Sequence, residues 1–271
     1  MKKRRIPPIL AQKDYSAASH FKPESLLREG RRQRGRAAGA LPEICILDPD
    51  GDATRHLVQR GVAKRNPHWA CYHTDLFEFS IGARKFGIVP CAVGASFAVL
   101  VAEELFASGC RLVISVTSSG QIDPKLKPPC ILLIEKALRD EGTSYHYLPP
   151  SEYARLDRSL QRRLRPLLEQ KTIPVSLGTA WTTDAPFRET GMAIRHARRS
   201  AIHAVEMEAS ALYAFAKARK KSLICFAMVT NQMGAIEGDF EKGANDGSDS
   251  FLALIQATCG ALDTLSYRGN E

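Results

Sequence analysis

The chain has 271 residues, 44% hydrophobic and 25% charged, with seven cysteines and a formal net charge of +9. Such a composition is ordinary for a soluble globular protein, and the length allows one sizeable core, as one large α/β domain or as two domains. No apolar run approaches the roughly 18–20 residues of a membrane span. The basic start MKKRRIPPILAQ is broken by Pro7 and Pro8 too soon to read as a secretory signal. The cysteines (Cys45, Cys71, Cys91, Cys110, Cys130, Cys225 and Cys259) show neither a CxxC pair nor a zinc spacing, and several stand in apolar strand-like runs, as buried free thiols do. A reducing, cytoplasmic compartment and no structural metal are expected.

The charge is uneven. Residues 1–36 hold 11 Lys/Arg and 3 acids, a balance of +8 out of the total of +9. A basic arm can bind nucleic acid, but this one lacks interleaved aromatics and a base-reading motif. A solvated tail, or an arm laid on a neighbouring subunit, is the plainer reading. Pro23 to Glu29 reads as a short helix with proline near its start, and Arg31 to Gly39 as a linker.

In the body, Glu43 to Leu47 is a short buried strand, followed by the turn Asp48-Pro49-Asp50-Gly51-Asp52 and a helix from about Arg55 to Arg60. A strand, a glycine turn and a helix start make an anion site, because free backbone N–H groups point at the ligand; a plain Asp/Gly turn capped by Asp52 is the alternative. Phe86 to Val93 is the next strand, and Ser96 caps a helix over Phe97 to Ala107 with Gly109 past its end. Arg111 to Thr117 is an apolar strand ending in the hydroxyl-rich loop Thr117-Ser118-Ser119-Gly120. This βαβ rhythm predicts parallel strands with ligands beyond their carboxyl ends.

Further on, Ser151 to Leu168 has the period of one helix with arginines on a solvated face. Val175 to Trp181 reads as a strand leading into the polar loop Thr182 to Thr190. Ser222 to Thr230 is another strand, Asp239 to Ser250 a Gly- and acid-rich mobile segment, and Ser250 to Leu265 the last helix.

The most informative stretch is Ala204-Val205-Glu206-Met207-Glu208-Ala209-Ser210, a strand-to-helix junction that carries two carboxylates before a helix running to Lys220. Buried carboxylates need partners, and the vicinal hydroxyls of a sugar donate what an ionised carboxylate accepts. Acids favoured by a helix dipole are the alternative.

Taken together, Gly51-Asp52-x-x-Arg55, Val93-Gly94-x-Ser96 with Glu103-Glu104-Leu105, Ser115-Val116-Thr117-Ser118-Ser119-Gly120, Thr183-Asp184, Val205-Glu206-Met207-Glu208-Ala209 and Val229-Thr230-Asn231 resemble the nucleoside phosphorylase superfamily of the uridine phosphorylase type. The match covers about residues 43–265. The resemblance implies a three-layer αβα sandwich with a central mixed, largely parallel sheet over residues 41–271, behind a basic arm and linker over residues 1–40. It implies cleavage of the N-glycosidic bond of a nucleoside, first of all phosphorolysis to free base and (deoxy)ribose 1-phosphate. Phosphate is then a co-substrate, with no cofactor or metal. It also implies a homo-oligomer, a dimer or a trimer of dimers with shared sites. Carried over by position, Gly51 and Arg55 hold phosphate and Ser118 closes on it. Glu206, Met207 and Glu208 hold the ribose, with Glu208 on the 2′- and 3′-hydroxyls. Thr183, Phe187 and Arg188 join the substrate pocket, Phe187 lining the base. Asn231 faces the departing base, to which its amide can donate a hydrogen bond but no proton; that suits a pyrimidine or a 6-oxo base.

Two departures stand out. Where the family's R-x-G-T-T-G motif has a phosphate-gripping arginine this chain has Ser115, and where its His-Arg-Glu-Phe motif has a second, cross-subunit arginine it has Thr74. The uracil-reading Gln-x-Arg has no clean counterpart beyond Arg188-Glu189. Either another arginine, such as Arg84 or one from the arm, substitutes, or water attacks instead, as in the superfamily's nucleosidases. A nucleoside-binding module without turnover is a further reading.

Overall fold

Five strands close on themselves. β5 (Leu112–Gln121) pairs with β10 (Ser222–Asn231), β10 with β6 (Cys130–Asp140), β6 with β8 (Val175–Thr183), β8 with β9 (Ala204–Glu206), and β9 returns to β5. From β5 the sheet continues through β1 (Ile44–Asp48), β4 (Arg84–Pro90) and β3 (Phe77–Ile81) to β2 (Lys64–Arg65), and β7 (Tyr153–Arg155) adds to β6. The computed structural model describes residues 6–233, 237, 239 and 247–264.

The helices are α1 (Pro23–Arg34), α2 (Asp52–Gln59), α3 (Ala95–Ala107), α4 (Ser144–Tyr147), α5 (Arg158–Arg163), α6 (Arg165–Glu169), α7 (Gly191–Arg199), α8 (Ala209–Arg219) and α9 (Ser248–Thr264). α1, α3, α4 and α8 pack as one layer and α2, α6 and α9 as the other, so the chain has the three-layer arrangement and the mixed sheet implied by its sequence. The inner strands are apolar along their length because both faces are covered: Cys45, Ile46 and Leu47 of β1, and Ile224, Phe226 and Ala227 of β10, are buried. β1, β4, β5 and β10 run parallel, which brings their carboxyl ends to one edge of the sheet.

Several elements differ from the sequence reading. The helix after Gly51 begins at Asp52, three residues early, because Gly51 itself is the N-cap with a left-handed φ of 75°. α3 is entered from Gly94, not Ser96; Gly94 has φ 88°, open to glycine at little cost. Thr117 to Gly120 is not a loop but the end of β5, held by β10 on one side and β9 on the other. The segment read as one helix over Ser151 to Leu168 is β7, α5 and α6. Tyr153–Arg155 pairs with β6, and Asp157 then caps α5 by accepting from the N–H groups of Ser159 and Leu160. The last helix starts at Ser248, and most of the acid-rich segment before it lies outside the described residues.

The arm is partly built into the body. α1 extends to Arg34, through the first part of the expected linker. Leu27 is buried, and Gly30 lies so near Ala70 that a Cβ there would stand 2.5 Å from its carbonyl oxygen. Arg34 donates to the carbonyls of Cys71 and Tyr72, each at 2.7 Å. Leu27→Ala is expected to lower stability by about 2–3 kcal/mol with kcat unchanged, measured by denaturant unfolding beside kinetics.

Candidate active site

The strand ends described above surround a cavity of about 400 Å³. Its floor comes from β5 and β9 and its walls from the turn after β1, the loop after β8 and the end of β10.

The turn after β1 is rigid. Asp48 is buried and accepts from the N–H of Thr54 and from its hydroxyl, both at 2.8 Å, and from the N–H of Gly51 at 3.2 Å. A Cβ on Gly51 would meet the Cys91 sulfur at 2.9 Å. Burial pushes the Asp48 carboxyl up to about 6. Arg55 pairs with Asp52 at 2.7 Å. Asp50 reaches across to β5, where its carboxylate accepts both the N–H of Ser118 (2.9 Å) and its hydroxyl (2.6 Å).

The two glutamates of the junction have different surroundings. Glu206 turns into the protein. One oxygen accepts from the Thr182 hydroxyl, and the other from the N–H groups of Glu208 and Ala209, each at 2.7 Å. It thereby satisfies free donors at the start of α8. Glu208 accepts from the Gly94 N–H at 2.7 Å through Oε1. Its Oε2 is buried and has no hydrogen-bond partner among the described residues, and the residue lines the cavity. Burial raises both carboxyls, and for Glu208 the charge of Glu206 raises it further.

The remaining sequence candidates fall around these. Met207, Phe187 and Asn231 line the cavity. Asn231 is buried, its amide N–H within 3.4 Å of the Ser119 carbonyl and its oxygen accepting from the Met233 N–H at 2.9 Å. Phe187 is 99% exposed, so its ring is available to whatever enters. Thr183 is buried and its hydroxyl accepts from the Ala185 N–H, bracing the loop. Arg188 is exposed and is not in the lining, but the neighbouring Glu189 is. Glu189 is half-buried, and burial pushes it up to about 7. Ser115 stands mid-strand with a buried hydroxyl lacking a partner among the described residues. Thr74 accepts from the Trp69 indole N–H at 2.9 Å. Asp50 does not stand out in the sequence, where its turn reads as an anion site; the acids of Asp48-Pro49-Asp50-Gly51-Asp52 are the signal that points to it.

The cavity is thus lined by four acidic residues, Asp50, Glu189, Glu206 and Glu208, and among the described residues by no Lys, Arg or His. Asp48 and Glu189 hold protons in the native state that the unfolded chain has released, so stability should fall as pH rises from about 4 to about 7. A series of thermal melts checks this; a midpoint that rises across that window would contradict it. Among the described residues no helix is long and apolar enough to cross a membrane, and no group of three or more His, Cys, Asp or Glu is placed to hold a metal ion.

A buried, unpartnered acceptor on a residue that lines a strand-end cavity of an α/β fold suits a ligand that donates from adjacent hydroxyls. The family model of the phosphorylase superfamily matches residues 43–259, and the chain belongs to that superfamily of nucleoside phosphorylases and nucleosidases. An uncharacterised protein of Acanthamoeba polyphaga mimivirus is 30% identical over 171 residues, 62% of this chain and 65% of that protein, so the match spans just under two thirds of the relative. Two solved structures share the fold. Uridine phosphorylase of Vibrio fischeri has a TM-score of 0.67 at 19% identity, over 84% of this chain and 92% of that one. AMP nucleosidase of Bacteroides thetaiotaomicron has a TM-score of 0.69 at 16% identity, over 93% of this chain and 100% of that one.

Proposed function

We propose that the chain hydrolyses the N-glycosidic bond of a nucleoside, with water rather than phosphate as the nucleophile. The observation that carries this is Asp50. Where the resemblance puts phosphate on Ser118, the Asp50 carboxylate takes both Ser118 donors, and a carboxylate there repels a phosphate dianion. The carboxylate-lined cavity points the same way.

In this reading Glu208 holds the ribose diol through its unpartnered oxygen, Met207 packs on the sugar, and Glu206 serves as the buried cap of α8. Departure of the base leaves an oxocarbenium-like sugar, which nearby carboxylates stabilise. Asp50, fixed by Ser118, takes one proton from water as its oxygen bonds to C1′. The C1′–N electron pair leaves with the base, towards which Asn231 can offer an N–H. No cofactor is required. Phosphorolysis is the second reading, favoured by the Gly51 turn with Arg55 in the first turns of α2.

The test is base release from uridine, thymidine, inosine, adenosine and 5′-methylthioadenosine with and without phosphate, in water enriched in oxygen-18. Free ribose carrying the label, formed equally without phosphate, is the expected result. Release that requires phosphate and yields ribose 1-phosphate would overturn it. Tight binding without turnover would favour a binding module.

A further inference from the structure

Resting on that hydrolytic reading, we infer that the cavity is matched to N-ribosides whose base carries a positive charge, rather than to neutral nucleosides.

Three features lead there. The first is charge. Four acidic residues line the space, no cationic side chain does so among the described residues, and no ion pair among the described residues involves Glu189 or Glu208. The Glu189 carboxyl is half-buried with no hydrogen bond or ion pair among the described residues, and Glu208 Oε2 is buried and has no hydrogen-bond partner among them. A carboxyl left so keeps its proton up to about pH 7, and a cationic ligand displaces that proton and completes the carboxylate. Ribose hydroxyls can complete Glu208. Glu189 sits on the loop that carries Phe187, on the wall with Pro186, and what completes it is charge on the base.

The second feature is the ring. An aromatic face as open as that of Phe187, beside a carboxylate, is a pairing that holds organic cations through the ring quadrupole and the charge together. The third is the leaving group. A neutral base leaves as an anion unless an acid protonates it, and Asn231, the residue facing it in this reading, has no such proton. A base bonded to C1′ through a positively charged ring nitrogen takes the C1′–N electron pair and departs neutral. Water supplies the new C1′–O bond and one proton goes to Asp50, so the reaction balances without an acid.

The experiment compares nicotinamide riboside, a fixed cation, with its uncharged dihydro form, which has nearly the same shape. Binding is measured as KM or as the inhibition constant against a cleaved nucleoside, at low and high salt, for the wild type and for Glu189→Gln. The cation should bind about 30-fold tighter at low salt and be cleaved. The gap should shrink with salt and fall about tenfold in Glu189→Gln, while binding of the dihydro form stays the same. Equal affinities in the wild type, or a gap that Glu189→Gln leaves intact, would overturn the inference. If no nucleoside at all is cleaved, the hydrolytic reading fails, and the ratio of the two affinities, read by calorimetry, still decides the charge preference.

Discussion

Glu208→Gln is expected to lower kcat/KM for a ribonucleoside by about 10- to 100-fold without loss of thermal stability. Among the described residues, its carboxyl is the one group at the junction with a buried acceptor that lacks a partner. Two hydrogen bonds from a sugar diol to an ionised acceptor are worth about 1.5–3 kcal/mol each, and those to an amide about half as much; the difference, about 1.5–3 kcal/mol, is the source of the factor. The amide oxygen can still accept from Gly94, as Oε1 does now, and removing a charge next to Glu206 relieves a repulsion. Stability should therefore hold or rise slightly. Kinetics beside a thermal melt would test both halves, and normal turnover in a folded variant would remove Glu208 from the site.

Asp50→Ala is the second. A positioned general base contributes about 10²- to 10⁴-fold, so phosphate-independent base release should fall by about that much. The substitution also frees the N–H and hydroxyl of Ser118 that Asp50 now occupies and takes a negative charge from the turn. Weak cleavage that depends on added phosphate, absent from the wild type, is therefore expected. Wild-type hydrolysis in Asp50→Ala would exclude Asp50 as the base; loss of hydrolysis with no response to phosphate would leave it as base but not as the group that keeps phosphate out.

Much of the scaffold was legible because its signals are local. Apolar runs bounded by glycine and acid turns gave β1, β5, β8 and β10, and spacing of small motifs gave the family. What escaped depends on contacts distant in sequence. Ser118 and Ser119 are polar, and polar residues after an apolar run read as a loop; they are strand because β10 pairs with them and β9 with Gly120 and Gln121 just beyond. Residues 151–168 have leucines at helical intervals, yet Tyr153–Arg155 is drawn to β6 and Asp157 restarts the chain as α5. In the site, Glu206 and Glu208 are equivalent on paper. Their separate roles arise because β9 ends at Glu206 and Glu208 is the N-cap of α8, so one carboxylate folds back onto the N–H groups of its own helix start and the other reaches across to Gly94. Asp50 is hidden for the same reason, since its partner Ser118 is 68 residues away.

The closing of β5, β10, β6, β8 and β9 into a ring bears on how copies of the chain can meet. Strands paired on both sides have no edge to offer, and exposed edges are what let sheets from different molecules zip together; within the ring, Val175–Gly178 of β8 are laddered only to β6. The outer path ends in β2, only Lys64 and Arg65, both exposed and both basic. The other short strand, β7, has three residues, two of them Tyr153 and Arg155 with the ring of one under the guanidinium of the other. A second molecule arriving at β2 finds two residues of backbone and two like charges, too little for a continuous ladder. The β2 end of the sheet is therefore a poor place for another molecule to add a strand.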